Sequence, residues 1–219
     1  MINTLLISFL VRKSYVFSYD NEILMKFKCL LYSWDDIQKL CKVLANKIKS
    51  SGFKPDVIVA IARGGWVPAR ILCDLLNVKE LYSVKTEHWG VVATPDEKAR
   101  ITQYLNVNLE GKNVLIVDDV ADTGETIELV LKHVRELNPK DVKTAVIDYK
   151  KTTSKFIPDF YATEMKEWRW IVYPWSLLED IRDLIKKIGV KDVKKAVEIL
   201  KNEYELDVDE GVVKEALSD

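Results

Sequence analysis

The chain has 219 residues and carries 33 Lys+Arg against 34 Asp+Glu, a net charge of -1 at pH 7. This length predicts one domain, or one domain with an appendage, and a hydrophobic content of 48% is enough for a packed core. The balanced charge argues against a dedicated nucleic-acid binder. His88 and His133 lie too far apart for a paired-histidine zinc motif, and the three cysteines form no C-x-x-C pair.

The first 24 residues are predicted to form an extension to the main domain. Their apolar run, residues 5–11, is much shorter than the ~20 residues that cross a bilayer. Arg12 and Lys13 follow that run, which is the reverse of the order in a signal peptide. We therefore expect no membrane association and a cytoplasmic location. A clearer strand at 27–32 opens the predicted main domain, 25–176.

The segment after Ser33 predicts alternating helices and strands. Ser33 and Asp36 have the form of a capping pair, and apolar residues then recur at helical spacing as far as Gly52. A continuous apolar run at 57–61 predicts a strand buried on both faces. A helix at 67–76 and a strand at 79–86 are expected to follow.

Residues 87–103 are polar and aperiodic, and they include Gly90 and Pro95. A loop of this length in a compact domain is usually functional or mobile, so we predict a lid. The strongest strand pattern follows at 113–117, then a helix from Gly124 to about residue 137 and a strand at 142–147. This alternation predicts an α/β fold whose mainly parallel sheet carries helices on both faces.

The last part of the chain, 177–219, predicts three short amphipathic helices. Two acidic capping pairs would begin the first and third of them, Ser176 with Glu179 and Asp207 with Glu210. Three such helices favour a small bundle, or a flap that packs on the main domain.

The most informative segment is 114–126, Val-Leu-Ile-Val-Asp-Asp-Val-Ala-Asp-Thr-Gly-Glu-Thr. A buried strand ends in Asp118 and Asp119, a tight turn follows, and a helix begins. Ligands of open α/β sheets bind at the carboxyl ends of strands, and helix N-termini attract phosphate. The acids can accept hydrogen bonds from vicinal hydroxyls or lie near Mg²⁺. The segment therefore predicts a site for a sugar phosphate.

Three other interpretations fit the segment less well. Calcium-binding loops of the EF-hand type need acids at alternate positions, and Val120 breaks that spacing. Asp122-Thr123-Gly124 also occurs in aspartic proteases, but this chain has no second copy and Glu125 follows. A purely structural turn would leave two adjacent acids at a buried strand end without partners, which is costly.

The segment resembles the phosphoribosyl-diphosphate-binding motif of type I phosphoribosyltransferases. It is specifically similar to the bacterial xanthine-guanine and other 6-oxopurine members. Three further segments support the resemblance: 32–35, at the entry to the first helix; 61–68, as the diphosphate loop; and 170–175, as the purine-binding segment. The likeness extends over about residues 30–175, and four motifs in the same order make it specific.

The resemblance implies roles for individual residues on the phosphoribosyl side. The phosphoribosyl group, with its 5'-phosphate in the turn at 123–126, would be bound by Asp118, Asp119, Ala121, Asp122, Thr123, Gly124, Glu125 and Thr126. Diphosphate would be bound by Ala62, Arg63, Gly64 and Lys85. The family often has a non-proline cis peptide in this diphosphate loop. Asp118 and Asp119 would hold the ribose hydroxyls and help to place Mg²⁺, directly or through water. Asp122 would be the catalytic carboxylate near purine N7, as proton acceptor or transition-state stabiliser.

On the base side, the resemblance assigns Lys150 to the exocyclic oxygen of a 6-oxopurine, Trp170 to stacking and Ile171 to backbone hydrogen bonds. Val172 departs from the family, which has a polar residue there. The helical tail is similar to that of crenarchaeal adenine phosphoribosyltransferases. Lys150 thus favours an oxopurine and the tail favours adenine. We expect adenine by a narrow margin, with 6-oxopurines as the alternative.

The implied reaction joins a purine base to 5-phosphoribosyl diphosphate, giving a nucleoside 5'-monophosphate and diphosphate in purine salvage. Mg²⁺ is the implied cofactor and a homodimer the expected assembly. Two rival functions remain. One is a non-catalytic regulator with the same fold, and the other is a nucleotide-sensing binding protein that uses the sheet only as a scaffold.

Overall fold

The computed structural model describes residues 27–89 and 98–218. The predicted extension 1–24 and the centre of the predicted lid, 90–97, lie outside the described residues. In chain order the elements are β1 (Cys29–Leu31), α1 (Trp34–Ser50), β2 (Val57–Ala62), α2 (Trp66–Leu76), β3 (Glu80–Trp89), β4 (Lys98–Gln103), β5 (Asn113–Ala121), α3 (Glu125–Arg135), β6 (Asp141–Lys150), β7 (Phe160–Met165), β8 (Trp170–Val172), α4 (Leu177–Ile188), α5 (Val193–Tyr204) and α6 (Glu210–Leu217).

Six strands form the main sheet, in the order β4-β3-β2-β5-β6-β7. All neighbouring strands are parallel except β3 and β4. Helix α3 packs on one face through an apolar stripe, and α1 and α2 cover the other face. The central strands β2 and β5 are apolar on both sides because both faces are covered. The predicted α/β fold is confirmed.

A second, two-stranded sheet joins β1 to β8 in parallel, with Leu30 opposite Ile171. Cys29 and Val172 of this sheet share one hydrophobic cluster with buried residues of α4, α5 and α6. The tail helices therefore have no core separate from the two-stranded sheet. The cluster crosses the predicted domain boundary at 176/177, and the boundary itself stays a prediction.

The predicted helix starts have mixed outcomes. Ser33 and Asp36 form the predicted capping box of α1. The predicted cap of α4 is wrong, because the Ser176 hydroxyl donates to Asp180 Oδ2 at 2.7 Å instead of capping the helix. The third tail helix begins after Asp209, not after Asp207.

The predicted loop 87–103 is also partly wrong. Strand β3 continues to Trp89 and pairs with β4, which begins at Lys98, so much of this segment is a β-hairpin. Antiparallel pairing satisfies the backbone without apolar periodicity, which is why a polar sequence gave no strand signal. None of the helices within 27–89 and 98–218 combines the length and apolar character that a membrane span requires.

Candidate active site

The carboxyl ends of β2, β3, β5 and β6 lie at one edge of the main sheet. Ala62 pairs with Lys85 across β2 and β3, and Ala121 pairs with Tyr149 across β5 and β6. Since Lys150 ends β6, the parallel register brings the predicted diphosphate, phosphoribosyl and base residues to the same edge. Ligands of such sheets bind at this edge.

The turn after β2 lies tightly against β5. The Ala62-Arg63 peptide is cis. A Cβ atom on Gly64 would stand 2.1 Å from Asp119 Oδ2, and one on Gly65 would stand 2.4 Å from the carbonyl oxygen of Val117. Both positions therefore require glycine for lack of space. The predicted diphosphate loop is consequently in direct contact with the predicted ribose acids.

Asp118 and Asp119 are packed side by side at the end of β5. Burial raises the pKa of Asp119 to about 6, although the Val120 N–H donates to its Oδ1 at 2.8 Å. Burial also raises the pKa of Asp118 well above its usual range, and the neighbouring Asp119 charge adds to this effect. Two adjacent carboxylates in a poorly solvated site favour a cation or hydroxyl donors beside them.

The turn between β5 and α3 presents a helix N-terminus to this edge. Gly124 precedes α3 with φ +85, a left-handed conformation that suits glycine. A Cβ there would also approach Phe156 Cβ to 2.4 Å. The Ala121 side chain is buried in the core, so only its backbone is available to a ligand. Thr123, Gly124, Glu125 and Thr126 form the turn and the first residues of the helix, as predicted.

Lys85 differs from its predicted setting. The sequence placed it at the end of a strand, but β3 continues beyond it, with a register shift between Lys85 and Thr86. The Lys85 ammonium contacts Glu87 Oε1 at 2.7 Å, and its side chain is 46% exposed. The pairing of β3 with β4 is therefore irregular at the point where β3 passes the candidate site.

Asp122 and Lys150 form a close ion pair between the phosphoribosyl turn and the base segment. Lys150 Nζ donates to Asp122 Oδ2 at 2.7 Å, and the Thr153 hydroxyl donates to Asp122 Oδ1 at 2.8 Å. The Lys150 side chain is only 4% exposed, whereas that of Asp122 is 38% exposed. Trp168 lies on the other side of the ammonium, with its ring centroid 4.6 Å from Nζ.

The purine-binding segment is placed by β8 and by helix α4. Ile171 is buried against α1, whereas Trp170 is 42% exposed. The Trp170 indole N–H donates to Asp180 Oδ1 at 3.0 Å. The neighbouring Glu179 accepts a hydrogen bond of 2.8 Å from Arg63 Nη2. Two adjacent acids of α4 thus contact two predicted site residues: Asp180 contacts Trp170, and Glu179 contacts Arg63.

Motif matching did not find every residue at this site. Thr153, Glu179 and Asp180 lie outside the four motif segments, and no motif spacing links them to the residues that they contact. Trp168 is two residues before Trp170, so the tryptophan-rich segment itself was the available signal. The structure places Trp168, and not Trp170, against Lys150.

A model of the phosphoribosyl transferase domain matches residues 31–180. The chain belongs to the phosphoribosyltransferase family. The hypoxanthine-guanine phosphoribosyltransferase of Schizosaccharomyces pombe is 32% identical over 198 residues, which cover 73% of this chain and 96% of that protein. The xanthine-guanine phosphoribosyltransferase of Cereibacter sphaeroides is 34% identical over 153 residues, covering 66% and 85%.

A solved structure of similar fold is a Neisseria gonorrhoeae protein with bound ppGpp. It has a TM-score of 0.63 and 31% identity, and the match covers 78% of this chain and all of that one. The family match and the named relatives together show that this chain is a purine phosphoribosyltransferase, as the sequence predicted. The named relatives favour the 6-oxopurine alternative over adenine. They do not show the predicted closeness to crenarchaeal adenine enzymes.

Proposed function

We propose that this protein is a 6-oxopurine phosphoribosyltransferase, which transfers the phosphoribosyl group of 5-phosphoribosyl diphosphate to hypoxanthine, guanine or xanthine. The observation that carries the proposal is the buried ammonium of Lys150, held 2.7 Å from Asp122 beside the base segment. An ammonium can only donate hydrogen bonds. It matches the exocyclic oxygen of an oxopurine, whereas the exocyclic amine of adenine would present a second donor.

The comparisons support this choice of base. The curated relatives named above act on hypoxanthine, guanine or xanthine according to their names. The Neisseria gonorrhoeae protein carries ppGpp, a guanine nucleotide with diphosphate groups. A guanine ring and a diphosphate are also the two groups that Lys150 and Arg63 would contact here.

The phosphoribosyl group would occupy the edge of the main sheet. Backbone N–H groups at the start of α3 would hold the 5'-phosphate, because a helix N-terminus favours an anion. Asp118 and Asp119 would accept hydrogen bonds from the ribose hydroxyls. The Arg63 guanidinium would bind the diphosphate, and its exposed side chain is free to reorient from Glu179 because an exposed ion pair is weak.

Mg²⁺ fits the donor set at Asp118 and Asp119. No group of three or more potential metal ligands occurs among the residues that the structure describes. Mg²⁺ is commonly held by one or two carboxylates together with substrate phosphates, so two acids facing the diphosphate loop suffice. The bound ion would neutralise negative charge on the leaving diphosphate. It would also stabilise the charged forms of the two acids, whose pKa values burial raises.

The reaction joins purine N9 to C1 of the ribose as the bond from C1 to the diphosphate oxygen breaks. Asp122 would accept the proton from N7 of the base, with Lys150 and Thr153 fixing its carboxylate in place. Lys150 would at the same time hold the exocyclic oxygen. The helix N-terminus and Arg63 bind the two ends of the phosphoribosyl donor, so the protein contributes mainly positioning and charge stabilisation.

The test is a nucleotide-formation assay with 5-phosphoribosyl diphosphate, Mg²⁺ and each of hypoxanthine, guanine, xanthine and adenine. At least one 6-oxopurine should be converted with a higher kcat/KM than adenine. Lys150→Met should lower this preference roughly 10–100-fold, since a lost charged hydrogen bond costs about 1.5–3 kcal/mol. Lys151→Met is the matched control, because Lys151 contacts Glu164 at the surface.

Faster conversion of adenine than of every 6-oxopurine would overturn the choice of base. Binding of guanine nucleotides without turnover of any base would favour the non-catalytic regulator.

Light scattering in solution would test the expected homodimer.

A further inference from the structure

Asp148 is a buried carboxylate that the reaction described above does not use. It lies on β6, two residues before Lys150, and is completely inaccessible to solvent. Burial raises its pKa, while hydrogen bonds from surrounding hydroxyls oppose that rise. An acid in such a place is costly unless its oxygens are satisfied, so its partners indicate why the fold retains it.

Three hydroxyls from three different parts of the chain converge on this carboxylate. Tyr32, just before α1, donates to Oδ1 at 3.0 Å, and Thr163 of β7 donates to the same oxygen. Tyr173, just after β8, donates to Oδ2 at 2.8 Å. Asp148 therefore joins the entry of the first helix, the edge strand and the base segment at one point.

The contact of Tyr173 extends this network to the phosphoribosyl acids. Its hydroxyl lies 3.2 Å from the backbone oxygen of Asp119, so one proton is shared between that oxygen and Asp148 Oδ2. The backbone N–H of Asp119 donates to Asp118 Oδ1 at 3.0 Å. The Asp119 residue is thus held on one side by Asp118 and on the other by the base segment.

The Tyr173 ring is fixed independently of its hydroxyl. It stacks on Trp175 with a centroid distance of 4.7 Å and an interplanar angle of 6°. It also lies 5.9 Å from the Tyr32 ring. Packing therefore accounts for the aromatic ring but not for the hydroxyl, which reaches two oxygens on neighbouring strands.

We propose that Tyr173 and Asp148 are positioning residues that set the base segment relative to the ribose-binding acids. This inference rests on the proposed function, since Trp170 and Ile171 would hold the purine two to three residues before Tyr173. Bond formation between N9 and C1 requires the two reactants in a near-attack geometry, and small displacements reduce the rate strongly. The Tyr173 hydroxyl spans the gap between the two substrate subsites.

The experiment compares two hydroxyl deletions on the same carboxylate. Tyr173→Phe removes the link to Asp119, and Tyr32→Phe removes an equivalent phenol on the other oxygen of Asp148, without that link. We expect Tyr173→Phe to lower kcat for a 6-oxopurine about tenfold or more, with a smaller change in KM for 5-phosphoribosyl diphosphate. Tyr32→Phe should lower Tm to a similar extent and leave kcat within about twofold.

A second readout does not depend on catalysis. Hydrogen exchange of the backbone amides at 118–122 should be faster in Tyr173→Phe than in the parent or in Tyr32→Phe. Asp148→Asn should show the faster exchange and the lower kcat, together with a larger loss of Tm. Equal kcat and equal exchange in the two tyrosine variants would overturn the proposal. An inactive parent would reject the proposed function but leave the exchange comparison to decide this one.

Discussion

The two halves of the proposed active site are held together in different ways. The phosphoribosyl half, residues 62–65 and 118–126, consists of the ends of the neighbouring strands β2 and β5 and the turns that lead from them into α2 and α3. Backbone and side chains are so close there that Gly64 has no room for a Cβ. The base half, residues 168–175 with α4, belongs to a separate small sheet and shares its core with the tail helices. The first half is fixed by the main sheet, whereas the second is docked onto it.

The contacts between the halves differ in their expected strength. Asp122 is linked to the base half through the nearly buried ammonium of Lys150 on β6, which lies against Trp168, and the Tyr173 hydroxyl lies in the buried Asp148 network. Arg63 and Glu179 meet through side chains that are 68% and 55% exposed. Exposed ion pairs contribute about 0–1 kcal/mol, so the last contact can exchange for a ligand at small cost. The docked half is therefore expected to respond to substrate more than the fixed half.

Asp122→Asn should have the largest effect, because it alters the junction of the two halves. Loss of proton acceptance is expected to lower kcat by roughly 10²–10⁴-fold. The change also leaves the buried Lys150 ammonium facing an amide, which should destabilise the fold by about 1–3 kcal/mol. Steady-state kinetics and thermal unfolding measure the two effects. The double variant Asp122→Asn/Lys150→Met should recover stability but not kcat, and an unchanged kcat in Asp122→Asn would remove Asp122 from the mechanism.

Arg63→Ala should weaken binding to the fixed half. Diphosphate and 5-phosphoribosyl diphosphate are expected to lose about 10–100-fold in affinity, because a charged hydrogen bond contributes about 1.5–3 kcal/mol. The nucleoside monophosphate lacks the diphosphate and should lose much less. Calorimetric titration of all three ligands gives the comparison, with Arg70→Ala on α2 as a control. Equal losses for the three ligands would show that Arg63 has a structural role.

Asp119→Asn should separate stability from function in the fixed half. With the pKa of Asp119 raised to about 6, the folded protein keeps a proton that the unfolded chain has lost between roughly pH 4 and 6. The free energy of unfolding therefore falls as pH rises through that window and stays lower above it. The variant should not show this decrease. Its free energy of unfolding at pH 7.5 without ligand should be about 1–2 kcal/mol higher than that of the parent.

The same variant should bind 5-phosphoribosyl diphosphate with Mg²⁺ more weakly. Denaturant unfolding from pH 4 to 8 measures the stability difference. Asp36→Asn is an informative control, because the hydrogen bond from Ser33 lowers the pKa of Asp36 and its loss should destabilise the protein at neutral pH. If Asp119→Asn proved less stable than the parent at pH 7.5, the inference that the buried Asp119 charge destabilises the fold would be wrong.

Glu179→Gln should have the smallest effect and tests the exposed ion pair between the two halves. Without the ion pair, Arg63 is expected to bind diphosphate more readily, so that KM for 5-phosphoribosyl diphosphate falls by up to about fivefold. Glu198→Gln, an exposed acid on α5, should leave KM unchanged. An increase in KM would mean that Glu179 positions Arg63 for the substrate instead of competing with it.

Much of the fixed half could be predicted from the sequence because its geometry is local. A strand, the two acids Asp118 and Asp119, a turn and a helix start lie within a few consecutive residues, so the sequence placed them in order. The predicted strand was too short, because β5 continues past the two acids to Ala121. The alternation of apolar segments likewise predicted the α/β sheet. Lys85 was placed in the right strand, but the continuation of β3 beyond it depends on pairing with β4, whose polar sequence carries no strand signal.

The docked half could be predicted only in part because its side-chain contacts follow no motif and depend on how the segments fold against each other. The tryptophan-rich segment was identified, yet the orientation of its side chains follows from partners elsewhere: Lys150 for Trp168 and Asp180 for Trp170. The start of α4 after Ser176 was predicted correctly, but the predicted capping contact is absent because the Ser176 hydroxyl bonds to Asp180 and Tyr173. No sequence motif indicated Asp148, because its contacts are with three hydroxyls that only the fold brings together.

The pairing of β1 with β8 has a consequence for the order in which the protein folds. Cys29 and Trp170 face each other although they are about 140 positions apart in the chain. During synthesis, residues 57–165 supply every strand of the main sheet before β8 exists. Contacts between distant segments form slowly because a long loop must close first. A growing chain can therefore form its phosphoribosyl half before β8 is synthesised and can pair with β1. We expect the base half to fold last.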